Sequence, residues 1–130
     1  MSKLVEQFIK GKLYAKVYCQ GYFDIFFPLE STSGQQSVKC KHIILYYEKQ
    51  GYYSLGTAFR NPEDNSDNGS YFYRRVTDAD LIKVFRNWAK SGSHLPFENF
   101  LESLQRNNFL NDASIEEFSR IKRIATRFAS

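Results

Sequence analysis

The chain has no run of 18 consecutive apolar residues, so no segment reads as a membrane-spanning helix. Its opening residues, Met1-Ser-Lys-Leu-Val-Glu, lack the apolar stretch of a secretory signal, and the expectation is a soluble cytoplasmic protein. Cysteine and histidine are scarce: Cys19, Cys40, His42 and His94 are the full set. Scattered in this way they form no zinc pattern, and neither cysteine has a histidine motif beside it. Glycine-rich phosphate loops and a Gly-x-Ser-x-Gly elbow are missing too. Neither a metal nor a cofactor is expected. Internal repeats and low-complexity tracts are absent. Acidic residues stop at Glu117, after which Arg120, Lys122, Arg123 and Arg127 follow.

Aromatic residues are plentiful. Twelve Phe and nine Tyr stand against one Trp, and aromatics make up 17% of the 130 residues. Nine phenolic hydroxyls are hard to satisfy in so small a core, which places some tyrosines at a surface. A chain of this length buries about two thirds of its unfolded surface and needs no disulfide to hold a core. Cys19 and Cys40 therefore read as small buried hydrophobes, although their strands could be neighbours. The formal charge of +4 suits an anionic partner or serves solubility. Residues 1–60 hold eight Lys/Arg against four acids, residues 61–80 two against five, and residues 81–130 eight against five.

The pattern of the chain changes at Thr77. Before it, short aromatic and β-branched runs are separated by turn residues; after it, apolar spacing is helical. Leu4, Val5, Phe8 and Ile9 predict a short helix over 2–10. Leu13, Ala15, Val17 and Cys19 then alternate with Tyr14, Lys16, Tyr18 and Gln20, and Tyr22 to Phe27 returns after Gln20-Gly21 as a hairpin. Lys41 to Tyr47, Tyr52 to Phe59 and Tyr71 to Val76 predict three more strands, with turn formers over 61–70. Thr77 with Asp80 caps a helix from Asp78 to about Ser91, whose inner face holds Leu81, Val84 or Phe85, and Trp88. Pro96 opens a second helix with Phe97, Phe100, Leu101 and Leu104 inside. Ser114 and Glu117 form a capping box for a third, with Ile115, Phe118, Ile121, Ala125 and Phe128 inward. The expectation is one α+β domain, 1–130, mainly β over 1–76 and mainly α over 77–130. It comprises a short N-terminal helix, a five-stranded antiparallel meander, and about three C-terminal helices on one sheet face.

Two surfaces stand out. With Ile121, Ala125 and Phe128 inside, Arg120, Arg123 and Arg127 share one strip of the last helix, with Lys122 to the side. Guanidinium groups so spaced match phosphates and stack on bases, although cations also favour a helix C-terminus through its dipole. The other surface is the tyrosine-rich sheet, where Tyr14, Lys16 and Tyr18 share one face of their strand and Tyr71, Tyr73 and Arg75 one face of theirs. Such aromatic and cationic faces stack bases, serve protein interfaces, or pack under helices. The link over Asn107–Ala113 is longer than the turn of about 3–4 residues in a helix-turn-helix. Asp64-x-Ser66-x-Asn68-Gly69 resembles the start of an EF-hand calcium loop, but its twelfth position is Arg75, which cannot supply the closing carboxylate.

These features predict a small, non-enzymatic binding protein of the adaptor or inhibitor kind, the sort of regulator mobile elements encode. It would dock on nucleic acid or on a nucleic-acid-handling protein complex, and not on a membrane. Its contacts would be Arg120, Lys122, Arg123, Arg127, Tyr14, Lys16, Tyr18, Tyr71, Tyr73 and Arg75. One alternative is a purely protein-directed module with tyrosines as its hot spot. Another is a small ribonuclease-like enzyme using His42 or His94 for acid–base work.

Overall fold

Alternation of side chains over 13–18 produces the first strand where the sequence places it, β1 at Tyr14–Tyr18. β2 follows at Phe23–Pro28, β3 at Val38–Tyr47, β4 at Gln50–Arg60 and β5 at Tyr71–Arg75. α1 spans Asp78–Ser91 and α2 spans Ile115–Thr126. These elements come from a computed structural model that describes residues 7–18, 23–32, 37–47, 50–62, 71–91, 102 and 114–128.

The sheet is antiparallel throughout but is not a meander. Its order is β4-β3-β2-β1-β5, so the chain crosses back from one edge and lays β5 against β1. β1 pairs Tyr14 with Arg75, Lys16 with Tyr73 and Tyr18 with Tyr71. The expected helices are corrected as well. The described residues hold two helices, and residues 7–10 are not helical. The helix expected from Phe97 onward lies outside the described residues apart from Glu102.

A short apolar repeat cannot repay the cost of nucleating a helix when a better packing site is at hand. Here residues 8–11 run as a strap along 28–32. Phe8 N–H donates to Thr32 Oγ1 at 2.7 Å, Thr32 N–H to the Phe8 carbonyl at 2.9 Å, and Gly11 N–H to the Pro28 carbonyl at 3.0 Å. Gly11, with φ 78°, takes the left-handed conformation that turns the strap into β1.

Two cores result, one on each sheet face. Ala15, Ile25, Phe27 and Ile43 meet Leu81, Val84, Phe85 and Trp88 of α1 and Ile121, Ile124 and Ala125 of α2. On the far face Phe8 covers Tyr14, Phe26, Val38, Cys40 and Tyr73. Ile43 is an extra residue in β3, since Ile25 pairs with Ile44 and Phe26 with His42. The bulge lets Ile43 enter the helix-side core while His42 stays on the far face.

α1 begins as its cap predicts. Asp80 N–H donates to Thr77 Oγ1 at 3.2 Å, and Thr77 N–H donates back to Asp80 Oδ2 at 2.9 Å. Arg74 adds a two-pronged contact, with its second nitrogen 2.9 Å from Asp80 Oδ1. Burial opposes ionisation of Asp80, but the Arg74 hydrogen bonds and the Thr77 N–H overcome it and hold the carboxyl below its ordinary 3.8. A depressed carboxylate contributes stability above the unfolded value and loses it as pH falls through the folded one. Asp80→Ala is expected to lower unfolding free energy by about 1–2 kcal/mol at neutral pH. In urea titrations the gap from the parent should close as pH drops below 3.8.

Candidate docking face

The aromatic and cationic residues singled out on two separate strands lie side by side. In a meander β1 and β5 would sit at opposite edges; the observed pairing makes them neighbours, three cross-strand rungs deep on the far face. The Lys16 ammonium lies 4.2 Å from the Tyr71 ring centre and 5.3 Å from that of Tyr18. Tyr18 and Tyr71 are themselves 6.1 Å apart. The Arg75 guanidinium is exposed and stands 5.4 Å from the Tyr14 ring. Contacts of this kind hold a cation over an aromatic face without neutralising it.

The six residues do not all reach the surface. Tyr14 and Tyr73 are 1% and 2% exposed, packed on Phe8 with ring centres 4.9 and 5.3 Å away. Burial raises the Tyr14 phenol above its ordinary 10.0, and its oxygen accepts from the Ile9 N–H at 2.8 Å. These two tyrosines are core, while Lys16, Tyr18 and Tyr71 are half-buried and form the open end.

Beside that open end lies a charged group that sequence reasoning did not single out. Arg60 on β4 reaches over the Phe26 ring at 4.6 Å and meets Asp24 of β2 at 3.5 Å. Its side chain is 9% exposed. His42 stands between them on β3 and rests on Gly56, where a Cβ would meet Nε2 at 2.8 Å. Burial raises the Asp24 carboxyl, against the pull of Arg60, His42 and Lys16. Burial, then Arg60, lowers the His42 imidazole, with Asp24 acting against them. The available signal was Asp24 itself, a charge set inside the apolar run Phe23-Asp24-Ile25-Phe26-Phe27.

The basic helix is partly consumed by the fold. Arg120 was expected on an exposed strip, but its side chain is only 18% exposed. It donates to the Val76 carbonyl at 2.9 Å and pairs with Glu117 at 3.0 Å. Arg123, 63% exposed, stands 3.5 Å from Asp78. Lys122 and Arg127 are exposed. Ile115 departs from the expected inner face, at 85% exposed, and Ile124 takes its place in the core.

Cys40 is free and buried, and burial pushes its thiol up to about 12, out of nucleophilic range. Cys19, His94 and the loop over Asp64–Gly69 lie outside the described residues. Among the described residues no group of three or more His, Cys, Asp or Glu could hold a metal, and no helix is long and apolar enough to cross a membrane.

Fold and face together define an α+β protein with an aromatic-rich antiparallel sheet. Compared with known proteins, the chain matches no protein family, no curated protein and no solved structure.

Proposed function

We propose that this chain is a small non-enzymatic binding protein, adaptor or inhibitor in type, that docks on a protein partner through the β1–β5 end of its far face. The observation that carries the reading is the pairing of β1 with β5, which gathers Lys16, Tyr18 and Tyr71 into one patch, with Arg75 two rungs along the same face over Tyr14. Tyrosine and arginine are the residue types enriched at protein interfaces and their hot spots. A base seeking a bare ring would find Tyr14 and Tyr73 buried, and Tyr18 and Tyr71 already capped by Lys16. The net charge of +4 suits an anionic partner, complexes that carry nucleic acid among them. A buried free thiol at Cys40 accords with a reducing compartment such as the cytoplasm, and the reading requires no cofactor.

A second reading, direct docking on nucleic acid, rests on the exposed Lys122 and Arg123 of α2 and Arg127 at its C-terminal cap. The two readings predict different mutants. Tyr18→Ala with Tyr71→Ala is expected to weaken partner binding by at least about tenfold, measured by titration calorimetry on the captured partner. Lys122→Glu with Arg127→Glu should leave that affinity within about twofold if the protein reading holds. The reverse ranking would transfer the function to α2. RNA turnover lost in His42→Ala would replace both by a ribonuclease-like enzyme.

A further inference from the structure

One charged group on the far face has no part in the docking patch. Arg60 crosses from β4 over β3 to reach Asp24 on β2, its guanidinium 4.6 Å from the Phe26 ring centre. Its Nε is buried with no hydrogen-bond partner among the described residues. Asp24 is therefore its carboxylate anchor, at 3.5 Å. His42 lies in register opposite Phe26, the ring that Arg60 covers, and its imidazole is seated on Gly56, where a Cβ would meet Nε2 at 2.8 Å.

We propose that Asp24, His42 and Arg60 form a proton-operated latch. While His42 is neutral, the Asp24 carboxylate holds the Arg60 guanidinium across three strands, with Lys16 acting on it from β1. A proton on His42 adds a third cation to Arg60 and Lys16 around that single carboxylate and releases the Arg60 side chain from the sheet.

Among the described residues, the charged and titratable groups facing this centre come from four strands: Lys16 on β1, Asp24 on β2, Cys40 and His42 on β3, and Arg60 on β4. Lys16 acts on Asp24, whereas Arg60 and Asp24 act on His42. The signs define a window. In the closed state His42 titrates below its ordinary 6.5, so the open state binds that proton more tightly, and a falling pH favours opening from 6.5 downward. Asp24 has the opposite effect. Its closed-state value lies above 3.8, so at more acid pH the closed state takes up that proton first and is favoured again. The latch therefore opens most between these two titrations.

Cys40 reports the opening, because it is buried beside Arg60 and its thiol stays protonated far above this range, at about 12. The experiment uses the full chain with Cys19→Ser and an acid-tolerant thiol reagent, 4,4′-dithiodipyridine. Each rate is divided by that of glutathione at the same pH. The normalised rate is expected to rise about tenfold from about pH 7.5 to about pH 5.5, and to stay flat in His42→Gln. Gly56→Ala, which drives the imidazole off its seat, should already react fast at neutral pH. A flat profile in the parent, or an equal rise in His42→Gln, would overturn the latch. Should His42→Gln fail to fold, NMR of the parent decides: the Arg60 Nε–H resonance must shift with the His42 ring midpoint, and an unmoved resonance contradicts the proposal.

Discussion

Glu117→Ala is expected to lower the unfolding free energy by about 3–5 kcal/mol, the range for removing one partner of a buried ion pair. Glu117 is the polar centre of the contact between α2 and the sheet. It caps nothing with its carboxylate, although its own N–H donates to the capping oxygen of Ser114 at 3.2 Å. The carboxylate turns inward instead, accepting the Leu13 N–H at 2.6 Å and pairing with Arg120. Arg120 carries the connection onward to the Val76 carbonyl, and Val76 N–H donates to the Leu13 carbonyl at 3.2 Å. One carboxylate thus ties α2 to the start of β1 and, through Arg120, to the end of β5. Alanine would strand the Leu13 N–H and leave Arg120, whose Nε is already without a partner among the described residues, with the half-exposed Asp78 carboxylate at 3.4 Å as its remaining counter-charge. Urea denaturation measures the loss directly. A loss under about 1 kcal/mol would mean that water serves both groups as well as the carboxylate does.

Phe8→Ala is expected to cost a similar amount, about 3–5 kcal/mol, for a different reason. Phe8 is fully buried and touches Tyr14, Phe26 and Tyr73 at ring-centre distances of 4.9, 5.4 and 5.3 Å, the last two edge to face. Its removal leaves a cavity at the middle of the far-face core, and the strap that carries it is held by backbone hydrogen bonds to 28–32. Two measurements separate a lost plug from a detached strap. Urea denaturation reports the total loss, while amide exchange at Phe8, Lys10 and Gly11 reports whether their bonds to Thr32, Ser31 and Pro28 persist. Stability unchanged within about 0.5 kcal/mol would show the plug to be dispensable.

Local features were legible in the sequence and long-range ones were not. α1 and its Thr77–Asp80 cap appear where expected, because capping chemistry and helical spacing are decided within a few residues. The strands also appear close to their expected limits, since alternation is local. The position of β5 depends on topology, which no short pattern encodes. The connection from Arg60 to Tyr71 was the available signal, as ten intervening residues exceed the usual hairpin loop of about 2–5. α2 shows a subtler failure. Helical spacing allowed either Ile115 or Ile124 on its buried side, and the choice fell to Glu117, whose carboxylate found partners in Leu13 and Arg120. That rotation drew Arg120 into the fold and removed it from the expected basic strip. Lys16, Tyr18, Tyr71 and Arg75 were recognisable by type, but bringing them onto one stretch of the far face required the crossover.

Whether the far face or the basic helix carries function is tested most directly by affinity for nucleic acid. Mixed single- and double-stranded DNA and RNA oligomers would be titrated against the chain at a low and a near-physiological salt concentration. The protein-docking account predicts no tight binding at either, with only weak association at low salt from the net charge of +4. Tight binding that falls steeply with salt and disappears in Lys122→Glu with Arg127→Glu would contradict it and make α2 the functional surface.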